Sequence, residues 1–257
     1  NCGLPYFVGG VIEEEDNLLL QTPESLHARF RLDVRINTEA LSIDRSSKRL
    51  LIKNVLTGAE SAIDYDKLVL SPGASPIVPP LPGINRALTL RTVEDVERIV
   101  AHVKEKPLTA VVIGGGFIGV EIAENLVHKG IKTSVVEASD QVLAPLDPEM
   151  AFLVATEMRS KGVDLHLGVS ASEITSEAVL LSDGTLLDAE LVILAIGVRP
   201  EIGLAQTAGL TVGSRKGIQV DEFNRTNDLD IYAIGDAAEK TDALDGSATL
   251  VPLANLA

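Results

Sequence analysis

Hydrophobic residues between positions 109 and 137 follow the pattern of one strand, one helix and a second strand. The continuous apolar run at 110–113 is typical of a buried parallel strand. Apolar residues three and four positions apart then indicate a helix with one buried face, and Gly130 ends it. A second apolar run at 133–136 leads directly to Glu137. The pattern therefore predicts a compact βαβ unit.

The rest of the chain continues this mixture of strands and helices. The first ten residues read as a loop, and the proline-rich stretch 75–83 reads as a linker. Helices are predicted at 23–30, from the Thr92 cap to before Pro107, and from Pro148 to Gly162. Strands are predicted at 32–36, 40–44, 49–55, 67–70, 163–167, 191–195 and 230–234, with antiparallel meanders before 67 and before 191.

Three glycines mark the turn between the first strand and the helix of the βαβ unit. Gly114, Gly116 and Gly119 form G-x-G-x-x-G, and Glu137 follows at the end of the second strand. Such glycines let a pyrophosphate approach the helix N-terminus, and the acid binds a ribose hydroxyl. The alternative is a glycine-rich turn that binds nothing. Because no arginine comes directly after Glu137, the pattern favours NADH over NADPH.

Composition limits the partners and the compartment. The chain has 257 residues, enough for one or two domains, and its net charge of −15 argues against nucleic acid or an anionic membrane as a partner. No apolar run approaches the ~20 residues of a membrane span. The single cysteine, Cys2, excludes an internal disulfide framework and favours a reducing, cytoplasmic compartment. The four histidines lack a metal-ligand spacing, so no metal site is predicted.

An internal repeat predicts a second nucleotide-binding unit. Residues 66–76 match residues 190–200, and each copy follows a meander and ends at the carboxyl edge of a predicted parallel strand. Gly114 precedes Gly197 by 83 positions, and the same offset from Gly73 falls before residue 1. We therefore expect this chain to be a piece of a longer protein. The phosphate loop of the first unit would belong to the longer protein and be missing from this piece.

Four motifs together resemble the flavin-dependent pyridine nucleotide–disulfide oxidoreductases. They are NCGLPY at 1–6, LVLSPGASP at 68–76, GGGFIGVE at 114–121, and the pair LAIGVRP at 194–200 with IYAIGDAA at 231–238. The residues of the first two motifs are most similar to those of coenzyme A disulfide reductases. Reductases of coenzyme A persulfide or polysulfide look equally similar.

The resemblance implies an α/β fold with tandem Rossmann-like FAD- and NAD(P)-binding domains, built from parallel sheets and antiparallel β-meanders. It assigns 1–106 to an incomplete FAD-binding domain, 107–222 to the NAD(P)H-binding domain and 223–257 to a return into the FAD-binding domain. It also implies a homodimer through a C-terminal domain outside this chain. We expect the isolated chain to bind NAD(H) better than FAD and not to turn over.

The resemblance also assigns the chemistry. An electron pair would pass from NADH through FAD to Cys2, which would cycle between a thiolate and a mixed disulfide with coenzyme A. Asn1 would donate a hydrogen bond to the substrate or the thiolate. From position alone, a lone cysteine is also consistent with a small apolar core residue.

Further residues are assigned to the cofactors by their match to the family motifs. Phe117 would cover the flavin until nicotinamide arrives, Glu121 would face the nicotinamide amide, and Asp236 would bind the ribityl hydroxyls of FAD. Their structural alternatives are a core aromatic, a solvated first-turn acid and a helix cap. The predicted NAD contacts are Gly114, Gly115, Gly116, Phe117, Ile118, Gly119, Glu121, Glu137 and Gly197. The predicted FAD contacts are Ser71, Pro72, Gly73, Gly235, Asp236, Leu253 and Ala254.

The sequence thus predicts a flavin-dependent, NADH-using reductase of coenzyme A disulfide or persulfide, with a small thiol or disulfide as its substrate. One alternative is a peroxide- or oxygen-reducing relative in which Cys2 forms a sulfenic acid. Another, from a different class, is an NAD-binding module without turnover.

Overall fold

The computed structural model describes residues 3–250, which pack into two compact units. Unit 1 comprises residues 3–20 and 76–197, and unit 2 comprises residues 21–75 and 198–250. Within the described range, no helix is both long enough and apolar enough to cross a membrane.

Helices and short strands follow one another throughout, as in an α/β protein. The α-helices are α1 (Leu4–Val8), α2 (Pro23–Phe30), α3 (Val93–Lys104), α4 (Phe117–His128), α5 (Pro148–Ser160) and α6 (Gly203–Thr207). The strands are β1 (Thr38–Asp44), β2 (Arg49–Asn54), β3 (Glu60–Asp64), β4 (Leu68–Leu70), β5 (Ala74–Pro76), β6 (Leu88–Thr89), β7 (Thr109–Ile113), β8 (Lys132–Glu137), β9 (Asp164–Leu167), β10 (Ala171–Ile174), β11 (Ala178–Leu181), β12 (Leu186–Asp188), β13 (Leu191–Leu194), β14 (Val198–Pro200), β15 (Ile218–Gln219), β16 (Ile231–Ala233), β17 (Ala238–Thr241) and β18 (Ala248–Leu250).

Unit 1 is built on a parallel five-stranded sheet in the order β6-β13-β7-β8-β9. Side chains alternate between its two faces. In β7, Ala110 and Val112 pack with the helices, whereas Val111 and Ile113 pack with the antiparallel meander β10-β11-β12. Both faces are covered, which explains why β7 is apolar along its length rather than alternating in the sequence.

Unit 2 contains smaller sheets around a separate core. Strands β1, β2 and β3 form an antiparallel meander, β4 pairs with β16 in parallel, and β15, β17 and β18 form a third sheet. The core includes Leu70, Ile218, Ile231 and Ala233. Parallel pairing of β4 with β16 places the carboxyl ends of these two strands at the same edge.

Helix starts predicted from capping residues are confirmed. Thr22 accepts a hydrogen bond from the backbone of Ser25, and Pro23 occupies the first turn of α2. Thr92 forms the equivalent capping box with Asp95 at the start of α3. The predicted βαβ unit is also present as β7, α4 and β8.

Two local predictions were wrong. The predicted loop at the start contains α1, with Pro5 in its first turn and Leu4 and Val8 buried against α3 and α4. The predicted strand at 32–36 is not a strand: it pairs with no other strand in the described range, and Leu32 and Ile36 are exposed. Alternation alone does not make a strand where no neighbouring strand or core receives the apolar side chains.

The internal repeat in the sequence is a repeat in the structure. In one copy β4 leads through Gly73 to β5, and in the other β13 leads through Gly197 to β14. Both glycines have positive φ, +73° and +121°. Strands β5 and β14 pair with each other, and the Ile77 N–H donates to the Gly197 carbonyl at 3.0 Å.

The compact units divide the chain at different positions from the predicted ligand-binding domains 1–106, 107–222 and 223–257. Residues 3–20 and 76–106 pack with unit 1. The assignment of one domain to FAD and another to NAD(P)H remains a prediction, because packing does not report what each unit binds.

Candidate functional site

The glycine turn at the end of β7 is too tight for a side chain at two of its three motif glycines, Gly114 and Gly119. Gly114 has a φ of +115°, and a methyl group there would lie 2.3 Å from the Ala195 carbonyl oxygen. A methyl group on Gly119 would lie 1.9 Å from the Gly114 oxygen, so α4 packs directly on the turn. A methyl group on Gly116, the residue before α4, would meet nothing within 4 Å. The helix N-terminus is therefore open to an anionic group.

Glu137 reaches this turn from the end of β8. Its carboxylate accepts one hydrogen bond from the Gly115 N–H at 2.6 Å and another from the Ser139 N–H at 2.8 Å. The parallel register that pairs Ile113 with Val136 brings Glu137 beside the glycines. The role of Glu137 as a ribose ligand stays a prediction; the structure shows that its side chain holds the glycine turn.

A cleft of about 360 Å³ opens beside Glu137 at the carboxyl edge of the parallel sheet. Strand ends and the segments before β10 and after β5 contribute to it. Its lining residues are Pro79, Pro80, Leu81, Ile113, Gly114, Val136, Glu137, Ala138, Val169, Ser170, Ala171, Leu194 and Ile196. The residues at 79–81 and 169–171 were not predicted as site residues, because neither segment matches a family motif. Only their position after predicted sheet strands could have suggested them.

Gly197 lies beyond β13, the strand that neighbours β7. The Ala195 N–H donates to the Ile113 carbonyl at 2.7 Å, so the two strand ends run together. A methyl group on Gly197 would approach only Ile77, at 3.8 Å, and the positive φ is what favours glycine. The predicted residue thus stands at the same sheet edge as the glycine turn.

The first turns of α4 carry the other predicted NAD contacts. Phe117 is 60% exposed, which leaves its ring free to contact a ligand, and Ile118 packs against the core of unit 1. Glu121 is half-buried. Burial, with a smaller contribution from the charge of Glu124, raises the pKa of the Glu121 carboxyl.

The raised pKa means that ionised Glu121 destabilises the fold. A carboxyl whose pKa is raised by folding contributes stability that is fully present below its ordinary pKa of about 4.3 and is lost as the pH rises through the folded-state pKa. Glu121→Gln should therefore raise the free energy of unfolding at pH 7 and leave it nearly unchanged at pH 4. Urea unfolding at both pH values measures this. The exposed Glu124→Gln variant is the control, with a smaller expected gain. Equal gains for Glu121→Gln at both pH values would contradict the effect.

Unit 2 brings the predicted FAD contacts of the described range to one sheet edge. The Ile234 N–H donates to the Leu70 carbonyl at 3.0 Å, which places the segments after β4 and β16 side by side. Gly235 has a φ of +69°, and a methyl group there would lie 3.9 Å from Ser71 Oγ. Half-buried Asp236 follows in a short 3-10 turn. This edge gathers Ser71, Pro72, Gly73, Gly235 and Asp236.

Four predicted site residues belong to the two ends of the sequence. Asn1, Cys2, Leu253 and Ala254 lie outside the described residues. Among residues 3–250, no group of three or more histidine, cysteine or acidic side chains could hold a metal ion.

Comparison with known proteins defines the class. The family model for the pyridine nucleotide-disulphide oxidoreductases matches residues 1–255, so the chain belongs to this family. The resemblance predicted from the four motifs is confirmed, and so is the α/β fold with parallel sheets and antiparallel meanders.

Three relatives show which kinds of protein the chain is similar to within this family. An NADH oxidase of Methanocaldococcus jannaschii is 37% identical over all of this chain and 58% of its own length. An NAD(P)H coenzyme A polysulfide/persulfide reductase of Pyrococcus horikoshii is 32% identical over 98% of this chain and 57% of its own. The crystal structure of reduced Bacillus anthracis CoADR-RHD is 46% identical with a TM-score of 0.96, over 99% of this chain and 47% of that one. The chain thus spans about half the length of the relatives it matches.

Proposed function

We propose that this chain is the nucleotide-binding part of an NADH-dependent, FAD-containing reductase of coenzyme A disulfide or coenzyme A persulfide. The observation that carries the proposal is the glycine turn of β7 and α4 with the Glu137 carboxylate fixed beside it. This arrangement has the three parts of a dinucleotide site: a tight turn, an open helix N-terminus and an acid at the end of the next strand.

The residues present fit a nicotinamide dinucleotide. The space above Gly116 leaves room for a pyrophosphate, whose charge would be stabilised by the free N–H groups of the first turn of α4. Glu137 would accept hydrogen bonds from a ribose while it continues to hold Gly115. Its negative charge opposes a 2′-phosphate, which favours NADH over NADPH.

The residues at the edge of β4 and β16 fit part of an FAD site. Gly73 and Gly235 turn the chain without side chains, so that a ligand can approach the backbone. Asp236 offers a carboxylate for hydroxyl groups at the same edge. When bound, NADH and FAD would supply the electron pair that reduces a sulfur–sulfur bond.

Cys2 is the proposed redox residue. Its thiolate would attack a coenzyme A sulfur of the substrate and break the sulfur–sulfur bond, so that a mixed disulfide of Cys2 with coenzyme A forms while a coenzyme A thiolate (from the disulfide) or hydrosulfide (from the persulfide) leaves. Two electrons, which bound NADH and FAD would supply, would then cleave the mixed disulfide into the Cys2 thiolate and a coenzyme A thiolate. Support comes from the NCGLPY motif and from the relatives whose names include coenzyme A. A cytoplasmic homodimer is likewise a prediction, based on the single cysteine and the family resemblance.

A second candidate function is reduction of oxygen or peroxide. The 37% identical relative from M. jannaschii and a further relative are both NADH oxidases, and this chemistry would take Cys2 through a sulfenic acid. The same nucleotide-binding residues serve either reaction, so the oxidised form of Cys2 distinguishes them. An NAD-binding module without turnover is the third possibility.

The deciding experiment is the intact mass of the air-oxidised full-length protein before and after a thiol reductant, with the adduct localised to Cys2 by peptide analysis. We expect an adduct of the mass of coenzyme A that the reductant removes. An added oxygen without coenzyme A would replace the proposal by the oxidase or peroxidase function. An unmodified Cys2 in a protein that does not oxidise NADH would favour the third possibility, an NAD-binding module without turnover.

A further inference from the structure

Helix α1 packs on α4 through a contact that only glycine allows. Gly9 ends α1 with φ −68° and ψ −12°, a conformation open to every residue. A methyl group at Gly9, however, would lie 1.9 Å from Asn125 Oδ1 and 2.7 Å from Asn125 Cγ. The glycine is therefore required by the contact with Asn125 and not by its own backbone.

Asn125 is fixed where it meets Gly9. Its side chain is 3% exposed, and Nδ2 donates to the Glu121 carbonyl one turn earlier in α4, at 2.8 Å. This bond orients the amide so that Oδ1 faces α1. The contact continues along the same face of α4, because a methyl group on Gly10 would lie 2.2 Å from Lys129 Nζ, one turn beyond Asn125. A buried asparagine inside a helix is costly without such a bond.

Each of the two helices joined by this contact begins near residues with a proposed role in the reaction: the nucleotide-binding turn for α4, and Cys2, in sequence, for α1. Helix α4 starts at the glycine turn and carries Phe117 and Glu121. Helix α1 starts two positions after Cys2 in the sequence.

We propose that Asn125 is a positioning residue: through Gly9 it sets where α1, the helix that follows Cys2 in the sequence, lies relative to the end of α4 that is proposed to bind the nucleotide. The proposal rests on the proposed function only in taking Cys2 as the redox residue.

The test is a double-mutant cycle in the full-length, FAD-loaded protein with Gly9→Ala, Asn125→Ala and the double variant. Because non-bonded carbon atoms prefer about 3.5 Å or more, the added methyl group must displace the Asn125 amide, or the two helices, by about 1 Å. The readouts are the pH profile of Cys2 alkylation by iodoacetamide, localised by peptide mass, and turnover with NADH and coenzyme A disulfide. Gly203→Ala is the matched control, since its methyl group would meet only Glu201 Oε1, at 3.4 Å.

We expect Gly9→Ala to lower turnover about 10- to 100-fold, the usual cost of a misplacement of about 1 Å, and to shift the alkylation profile. The double variant should recover about tenfold of that loss, since removal of the amide makes room for the methyl group. Gly203→Ala should match the wild type. Additive losses in folded variants, or a Gly9→Ala protein with both readouts unchanged, would overturn the proposal.

A folding failure of Gly9→Ala still leaves a test. Asn125→Ala on its own should shift the Cys2 alkylation profile while the affinity for NADH changes by less than about threefold, because it does not touch the glycine turn. An unchanged profile in that variant would refute the positioning role. Alkylation does not depend on the substrate, so these results stay interpretable even if Cys2→Ser shows that the proposed function is wrong.

Discussion

Cys2→Ser is expected to lower NADH-dependent reduction of coenzyme A disulfide or persulfide by about a thousandfold or more in the full-length protein, as is usual when a covalent nucleophile is removed. A serine hydroxyl is nearly isosteric with the thiol but forms no disulfide. In the proposed reaction NADH would reduce the flavin before any sulfur chemistry, so the rate of flavin reduction should change by less than about twofold. Steady-state turnover and stopped-flow flavin absorbance measure the two quantities.

A Cys2→Ala variant is the control for Cys2→Ser, because it removes the thiol without adding a hydroxyl. Both variants should behave alike. Full turnover in either one would end the assignment of Cys2 as the nucleophile, while the family and the fold would stand.

Gly114→Ala should have the largest effect on the nucleotide site. The substitution forces a positive φ on a residue with a side chain and places its methyl group 2.3 Å from the Ala195 carbonyl oxygen. The strained backbone and the overpacking should each cost about 1–3 kcal/mol of folding stability. Because the turn must open to relieve the contact, NADH binding should be lost. Urea unfolding and titration with NADH check both effects.

Gly116→Ala separates folding from binding. Its backbone has a negative φ, and a methyl group there meets nothing within 4 Å. The free energy of unfolding should therefore fall by about 1 kcal/mol or less, because glycine is preferred over alanine at the residue that caps a helix N-terminus. Affinity for NADH should nevertheless fall, because the methyl group occupies the space proposed for the pyrophosphate. If Gly116→Ala lowered stability as much as Gly114→Ala, the turn would not be organised as described.

The parts of the fold that sequence predicted well are those fixed by local rules. The glycines before α4, the buried run of β7 and the threonine caps at Thr22 and Thr92 each have one favourable local structure, and the structure adopts it. The repeat at 66–76 and 190–200 was visible because both copies keep the same glycine after a strand.

The parts that sequence missed depend on contacts between distant segments. Helix α1 is five residues long, bounded by Gly3 and Gly9, and is too short to be stable without the packing of Leu4 and Val8. The alternation at 32–36 led to the opposite error, a strand predicted where none forms. Among the residues described, no strand lies beside this segment to pair with it. Tertiary contacts override local pattern in both cases.

The candidate site was predicted only in part, because some of its contacts also depend on segments that are distant in the sequence. Glu137 was identified by its distance from the glycines, but its hydrogen bond to Gly115 depends on the register between β7 and β8. The cleft residues at 79–81 and 169–171 reach the site only through the folded path of the chain. Gly9 and Asn125 are 116 positions apart, and nothing in either local sequence points to the other.

The hydrogen bond from Ile77 to Gly197 has a consequence for recombination of such proteins. It holds the two ends of segment 77–197 next to each other, which is the geometry of an inserted module that can be transplanted with little loop-closure entropy. A graft of 77–197 alone would nevertheless fail, because it would leave bare the surface that Leu4 and Val8 cover on α3 and α4. A transplantable module must carry residues 3–20 with it, joined by a new linker.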